Sequence, residues 1–252
     1  MARPRKGAIF SMRYGIFSDI HSNLEAYESV LGAMKGDGLD AYICGGDIVG
    51  YGADPSGCVE LTRGLTDNVI CGNHDCASVG LLDTQYFNLR AKEAVLWTAK
   101  NINDEERHYL THLKMVHEGP DFSVVHGSLD EPYSFRYILD IESAVTNFDT
   151  MRKDLLFIGH THSPAVFRKE GGEVTYSKTS HVDLKEGTSY IVNVGSVGQP
   201  RDGDPRASYA VLDEKAKTVE IKRVVYNIKK AQEKILKAGL PPILAERLGM
   251  GQ

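Results

Sequence analysis

The sequence predicts a layered α/β fold. Short apolar segments typical of strands alternate with helical patterns over residues 13–71, and strand-like segments dominate the second half of the chain. This alternation predicts neighbouring parallel strands with helices packed against the sheet. The chain has 252 residues, of which 42% are hydrophobic, so it is long enough to bury a sizeable core in one large domain or two small ones.

The first part of the chain has the order strand, helix, strand, helix, strand. The strands are predicted at 16–18, 41–44 and 68–71, and the helices at about 22–34 and 55–65. This order is the βαβαβ pattern of a parallel sheet.

The middle of the chain, from about 84 to 113, is rich in Leu, Ala, Glu and Lys. This composition predicts two helices that are separated near 101–104, with Asn103 capping the second. Strands are predicted after it at 114–117, 121–126, 155–158, 173–177, 190–194, 208–212 and 219–225.

The two ends of the chain differ in pattern. Residues 1–12 show no periodicity, and we expect them to form a flexible tail. A helical pattern begins near Asn227, and Gly239 and the prolines at 241–242 are expected to divide it into two short helices.

Charge and hydropathy exclude some functions. The chain has 29 Lys and Arg against 34 Asp and Glu, a net charge of -5, so it has no general attraction to a phosphate backbone and no stable nucleic-acid partner is expected. No segment approaches the roughly 20 uninterrupted apolar residues of a membrane span. We therefore expect a cytoplasmic protein that does not bind membranes.

The four cysteines show no paired CxxC spacing. A chain of this length does not need disulfide bonds for stability. We therefore expect four reduced, mostly buried thiols, at Cys44, Cys58, Cys71 and Cys76.

Side chains that bind metal ions follow the predicted strands one after another. A lone His or Asp at a strand end is usually structural, but ligands in α/β sheets gather at the carboxyl edge, and here the pattern recurs at each strand. Asp-x-His and His-x-His pairs on an extended chain point to one side and can grip an ion together. The candidates are Asp19, His21, Asp47, Asn73, His74, Asp75, His126, His160 and His162.

This donor set suits divalent transition ions. Imidazole together with carboxylate and amide oxygen favours Mn, Fe, Ni or Zn, with Mg also possible. An aspartate that bridges would hold two ions together. The sequence therefore predicts a metal site with one or more divalent cations.

The motifs resemble those of the calcineurin-like metallophosphoesterases. The segments are DIHSN at 19–23, GGDIVGYG at 45–52, GNHD at 72–75, VVHG at 124–127 and GHTH at 159–162. With NVGSVGQPRDGDPRASYAVLD at 193–213, the chain resembles the small single-domain bacterial and archaeal members of that superfamily. The resemblance implies one domain over 1–252, ending in helices from 227, with a four-layer α/β/β/α sandwich of two mixed sheets flanked by helices.

The resemblance also implies a site with two metal ions. Asp19, His21 and His162 would hold the first ion. The second would be held by Asn73, His126 and His160, and Asp47 would bridge the two. A hydroxide between the ions would then attack the phosphorus in line.

Two further residues of the GNHD segment receive roles by the same resemblance. His74 would lie just outside the metal ligands and protonate the leaving-group oxygen or stabilise its charge. Asp75 would orient the His74 imidazole, and the alternative is that it caps a helix.

The resemblance implies hydrolysis of a small phosphodiester, phosphomonoester or dinucleoside polyphosphate. The Asp-Arg-Gly segment of the protein Ser/Thr phosphatases is replaced here by Ile48-Val49-Gly50, which disfavours phosphoprotein substrates. Tyr51 could stack on a nucleobase or simply pack its loop. Arg201 and Arg206 could bind an anionic substrate, although neighbouring aspartates offer an ion-paired loop instead.

Two other functions remain open at this point. A non-catalytic metal-binding scaffold on the same fold should have lost some ligands, and here all are present. A nuclease would need a basic surface, and the only basic cluster is near the N-terminus.

Overall fold

Two mixed β-sheets pack face to face, with helices on both outer faces. This computed structural model describes residues 11–252, and residues 1–10 of the predicted tail lie outside the described part. Met12, at the end of that predicted tail, is held in place, since its N–H donates to the Glu214 carboxylate at 2.8 Å. The observed layers confirm the four-layer sandwich.

The elements have the following bounds in the described chain. The strands are β1 (Arg13–Phe17), β2 (Ala41–Cys44), β3 (Val116–Glu118), β4 (Phe122–Val125), β5 (Leu155–Ile158), β6 (Ala165–Glu170), β7 (Glu173–Ser177), β8 (His181–Asp183), β9 (Thr188–Asn193), β10 (Ala207–Asp213) and β11 (Thr218–Val224). The α-helices are α1 (Leu24–Lys35), α2 (Pro55–Leu65), α3 (Asn73–Ser78), α4 (Leu89–Asn101), α5 (Asp104–Thr111), α6 (Ile141–Thr150), α7 (Ile228–Lys237) and α8 (Pro242–Met250).

The first sheet has the order β2-β1-β10-β11-β8, and the second has the order β3-β4-β5-β9-β6-β7. The pairs β1–β2, β4–β5 and β5–β9 are parallel, so the carboxyl ends of β1 and β2 lie side by side in one sheet, and those of β4, β5 and β9 in the other. Every strand that precedes a candidate ligand therefore ends in one of these two parallel sets.

Side chains along a strand point alternately to its two faces, and apolar residues on both faces form the core. Leu155 and Phe157 of β5 lie in the apolar cluster between the sheets, whereas Leu156 and Ile158 face α6. Residues two apart in a strand share a face, so one short strand serves two layers of the core. The helices α1 and α2 cover the first sheet in the same way. Along the described residues, none of the helices has the length and apolar character needed to cross a bilayer.

Most predicted elements occur, but some were wrong or missed. The predicted strand at 68–71 forms only isolated parallel bridges, from Val69 to Cys44 and from Ile70 to Lys114, because the chain turns into α3 directly afterwards. The helix α6 was missed because its sequence, IESAVTNFDT, is rich in β-branched and cap-forming residues. The N-cap at Asn103 is confirmed, as is the division of the C-terminal helices.

The prediction of four free thiols is wrong for two cysteines. The structure joins Cys71 and Cys76 in a disulfide across the start of α3, where their Cα atoms are 6.5 Å apart. That separation is within the range that a disulfide spans. Cys44 and Cys58 are free and buried, as predicted.

The C-terminal helix pair is fixed to α1 through a buried carboxylate. Glu25 forms ion pairs with Lys234 Nζ at 2.6 Å and Lys230 Nζ at 3.0 Å, and Lys234 Nζ also donates to Asp54 Oδ2 at 2.8 Å. Burial alone would raise the pKa of Glu25, but the contacts with the two lysines lower it below its usual value. Ionised Glu25 therefore stabilises the folded chain.

We expect Glu25→Gln to reduce the free energy of unfolding by about 1–2 kcal/mol at pH 7, because the lysines lose their buried partner. A group whose pKa is lower in the folded state stabilises above its unfolded pKa and ceases to do so in acid. The difference between wild type and variant should therefore shrink as the pH falls from 7 to 3. Urea unfolding at both pH values checks this, with the exposed Glu28→Gln as control. An equal loss in the control would contradict the assignment.

Candidate metal centre

The turns after the parallel strands bring the candidate ligands together. In the first group, Asp19 Oδ1 lies 3.2 Å from His162 Nε2, and His21 Nε2 lies 3.1 Å from His162 Nε2. Asp19 and His21 follow β1, whereas His162 follows β5 of the other sheet. These three residues form one group whose ligand atoms lie within 4.8 Å of one another.

A second group lies beside the first. It consists of Asp47, His126 and His160, again with ligand atoms within 4.8 Å of one another. Asp47 Oδ2 lies 3.3 Å from His126 Nε2 and 3.5 Å from His21 Nε2 of the first group. Asp47 thus stands between the two groups, where a bridging ligand would have to lie.

Asn73, the remaining candidate ligand, begins α3. Its Oδ1 atom is buried and has no hydrogen-bond partner among the described residues. The next residue, His74, donates its backbone N–H to Asp47 Oδ1 at 2.8 Å, which ties this helix to the bridging position.

The backbone at the ligands is strained. A left-handed φ costs about 1–2 kcal/mol for a residue with a side chain, although Asp and His tolerate it better than most. Such conformations concentrate at functional sites. The candidate ligands with φ between +50° and +66° are Asp19, His21, Asp47, His160 and His162.

Glycines allow the close approach of the turns. A Cβ atom at Gly72 would lie 2.0 Å from Asp47 Oδ1, and one at Gly50, where φ is +93°, would lie 2.4 Å from His74 Nδ1. Real Cβ contacts of that length do not occur, so only glycine leaves Asp47 and His74 where they are.

Backbone carbonyls set the tautomers of three imidazoles. A carbonyl oxygen can only accept, so the Nδ1 atom facing it carries the hydrogen and the Nε2 lone pair is left for a cation. The contacts are His21 Nδ1 to Val49 O at 3.2 Å, His126 Nδ1 to Gly45 O at 2.8 Å and His162 Nδ1 to Gln199 O at 2.6 Å.

The electrostatics favour positive charge between the two carboxylates. Burial would raise the pKa of Asp47, but His126 and the other imidazoles nearby lower it far below its usual value, and Asp19 is lowered likewise. Burial would lower the pKa of His126, but the carboxylates of Asp47 and Asp19 raise it to about 10. Burial lowers the pKa of His160 and His162 to about 3, so both are neutral, the form that binds metals.

Several buried atoms of the group are left without a hydrogen-bond partner in the described chain. Burying a polar atom unpaired costs about 1–3 kcal/mol, so an accumulation of such atoms at one place requires an explanation. Divalent cations would satisfy them all, and the residues present therefore fit a metal centre. The atoms are Asp47 Oδ2, Asn73 Oδ1, His126 Nε2 and His160 Nε2.

His74 is buried beside the ligands. Its ring lies 4.8 Å from that of His21, and the structure also groups it with His21 and Asp47 as a possible metal-binding set. Burial lowers its pKa well below the usual value, so the imidazole is neutral. Its Nδ1 atom has no hydrogen-bond partner among residues 11–252.

The prediction that Asp75 orients His74 is wrong. Asp75 Oδ2 accepts the Gly72 N–H at 3.0 Å and Oδ1 accepts the Val49 N–H at 3.1 Å, so both oxygens bind backbone amides. The first bond caps α3, as the alternative interpretation proposed, and the second fastens this helix to the turn after β2.

The three candidate substrate contacts lie in different surroundings. Tyr51 is 5% exposed and packs on His21 and His74 at 4.7 and 4.4 Å between ring centres, as the loop-packing alternative predicted. The Arg201 guanidinium lies 5.5 Å from the Tyr51 ring. Arg206 is exposed and forms an ion pair with Asp204 at 2.6 Å, as the ion-paired alternative predicted.

Some residues of the site were not found from the sequence. Ser196 Oγ donates to Asp19 O at 2.8 Å, and its place in the segment 193–213 could have indicated a role. The Tyr137 ring stacks on His160 at 3.9 Å between ring centres, and the Arg247 guanidinium lies 5.9 Å from the Tyr51 ring. No motif in the sequence singled out Tyr137 or Arg247.

Comparison with known proteins gives consistent results. A family model described as the calcineurin-like phosphoesterase superfamily domain matches residues 12–217. An uncharacterised protein of Methanocaldococcus jannaschii is 43% identical over 242 residues, which cover 94% of this chain and 97% of that protein. The crystal structure of a metallophosphoesterase from Sphaerobacter thermophilus is 40% identical, with a TM-score of 0.86, and the match covers 96% of this chain and 100% of that one.

A more distant structure agrees in fold alone. The crystal structure of a hypothetical protein from Pyrococcus horikoshii is 19% identical, with a TM-score of 0.77 over 95% of this chain and 98% of that one. The whole of the two-sheet architecture is thus shared across a wide divergence in sequence.

We expect Gly72→Ala to reduce metal binding, because the added Cβ atom displaces the Asp47 carboxylate. The bound Mn²⁺ per chain, measured by mass spectrometry after equilibrium dialysis, should fall relative to wild type. Gly64→Ala is the matched control, since nothing lies within 4 Å of a Cβ atom at this helical position. Unchanged Mn²⁺ content in a folded Gly72→Ala variant would contradict the importance of this close approach.

Proposed function

This chain belongs to the calcineurin-like phosphoesterase superfamily, whose members hydrolyse phosphoric esters, and we propose that it uses two divalent cations to hydrolyse a small phosphorylated substrate. The substrate is a phosphodiester, a phosphomonoester or a dinucleoside polyphosphate. Manganese, iron, nickel or zinc suits the donor set best.

One observation above all supports this proposal. Two groups of buried ligand atoms lie side by side, and Asp47 stands between them with an oxygen that no protein donor satisfies among the described residues. In the proposal Asp19, His21 and His162 hold one cation. Asn73, His126 and His160 hold the other, and Asp47 binds both.

In the proposed reaction the cations and the chain have different roles. When bound, two divalent cations lower the pKa of an attacking water and neutralise charge on the phosphoryl oxygens. The chain holds the ligands in fixed tautomers and buries them, which strengthens every electrostatic interaction at the site.

His74 is proposed to act on the leaving group. Its ring is buried next to His21, and its Nδ1 atom has no protein partner in the described chain, so it is free to bind a substrate oxygen. Gly50 packs against this nitrogen, where a Cβ atom would come within 2.4 Å of it. The neutral imidazole would donate a hydrogen bond to the leaving-group oxygen and so stabilise the charge that develops as the P–O bond breaks.

Hydrolysis of bis(p-nitrophenyl) phosphate with Mn²⁺ tests the reaction. We expect Asp47→Asn to lose both metal and activity, with kcat/KM lower on the order of 100-fold or more. His74→Asn should lower kcat about 10²- to 10⁴-fold while the Mn²⁺ content stays at the wild-type value, which separates a role on the leaving group from a role as a metal ligand.

Two results would contradict these roles. Loss of Mn²⁺ in His74→Asn would make this residue a ligand. Absence of hydrolysis with Mn²⁺, Ni²⁺, Zn²⁺ and Mg²⁺ over model diesters, nucleotides and dinucleoside polyphosphates would favour the non-catalytic scaffold.

Anion binding can be tested by comparing Arg201 with Arg206, because the two arginines have different surroundings. Arg201 lies beside Tyr51, and its charge acts on His74 and His162, whereas Arg206 is already neutralised by Asp204. We expect Arg201→Ala to raise KM about tenfold through loss of a charged contact. Arg206→Ala should leave KM unchanged. Equal effects of the two variants would remove Arg201 from the site.

A further inference from the structure

A cavity of about 390 Å³ opens beside the metal centre. Three of its lining residues, Asn73, His74 and His160, belong to the candidate site itself. Tyr51 adds a side chain from the turn after β2, and the rest of the lining comes from the segments 82–91 and 133–137, neither of which contributes a candidate metal ligand. A ligand that reaches the metal centre can therefore extend into this cavity.

The walls of the cavity are unusually aromatic. A cavity of this size falls within the range of small-molecule sites. Two of the rings are exposed, Tyr133 at 77% and Tyr137 at 48%, although aromatic side chains gain most when they are covered. The aromatic residues that line it are Tyr51, Phe87, Tyr133, Phe135 and Tyr137.

Three of these rings pack against histidines of the candidate site. Tyr137 stacks on His160 with its ring plane tilted by only 10°, and Phe87 meets His74 edge to face at 5.1 Å between ring centres. The ring centres of Tyr51 and His74 are 4.4 Å apart. A flat group in the cavity would therefore lie beside the His74 and His160 side chains of the candidate site.

The cavity also offers a hydrogen-bond donor. Asn88 Oδ1 caps α4 by accepting from Ala91 N–H, which leaves the Asn88 amide nitrogen as a donor at the cavity wall. Arg201 and Arg247 do not line the cavity, but they lie 5.5 and 5.9 Å from the ring of Tyr51, which does. A flat ligand with polar edges matches this lining better than an alkyl chain or a lone sugar.

We propose that this cavity binds the nucleobase of a nucleotide substrate, and that the metal centre acts on the phosphoryl group of the same molecule. The inference rests on the proposed phosphoesterase function and names its substrate class. Loss of one stacking contact between a base and an aromatic side chain weakens binding about tenfold or more, enough to favour nucleotides over phosphate esters without a ring.

Binding of phosphate-free nucleosides to chelator-treated protein tests the cavity without using activity. Equilibrium dialysis with adenosine, guanosine, cytidine and uridine should show saturable binding of at least one, and Tyr133→Ala should weaken it about tenfold. Tyr176→Ala is the matched control, since Tyr176 is 46% exposed but lies on β7 of the second sheet. The exposed position of Tyr133 means that its removal should not disturb folding.

Kinetics provide the second measurement. With Mn²⁺, Tyr133→Ala should raise KM for the preferred nucleotide about tenfold while kcat/KM for glycerol phosphate stays at the wild-type value. No saturable nucleoside binding, equal weakening by Tyr176→Ala, or phenol binding as tight as that of a nucleoside would overturn the proposal. Hydrolysis without any preference for nucleotides would overturn it and leave the phosphoesterase function standing. Tyr133-dependent nucleoside binding without hydrolysis would support the cavity and contradict the phosphoesterase function.

Discussion

The structure depends on holding two carboxylates and several imidazoles close together in one buried space. Asp19 and Asp47 are both fully buried carboxylates, and several imidazoles with inward-facing nitrogen atoms surround them. Such a set is costly to assemble without cations, because each buried polar atom has given up its water. The folded chain holds the candidate ligands in place with hydrogen-bonded turns.

Hydrogen bonds join these turns to one another. After β1 and β2, Asp19 N–H donates to Gly46 O and His21 N–H to Asp47 O, both at 2.9 Å. The second sheet joins through His160 N–H, which donates to Asp19 Oδ2 at 3.0 Å. These bonds offset the strain of the left-handed residues and make the site the junction of the two sheets. A shift of either sheet would therefore move ligands of both groups.

The sequence was most informative where pattern and local chemistry agree. The helix Pro55–Leu65 and the strand Leu155–Ile158 were predicted to the residue, because Pro starts the first and a short apolar run defines the second. The candidate ligands were recognisable because all but Asn73 follow a strand of the sheets. Long-range contacts were not recognisable: whether Asp75 meets His74 or backbone amides depends on how the turn after β2 folds over α3, and nothing local encodes that.

The same limit applies to the surroundings of Tyr51, where parts of the chain that are far apart in sequence meet in space. Tyr51 packs between the ligand His21 and an apolar cluster formed by α4, α7 and α8. The C-terminal helices lie beyond residues 12–217, which the family model matches, yet they bring Arg247 to the Tyr51 ring. Tyr51 therefore connects the C-terminal helices to the candidate site, because it packs on those helices and on the rings of His21 and His74. A change in the packing of this helix pair would reach the site through that one side chain.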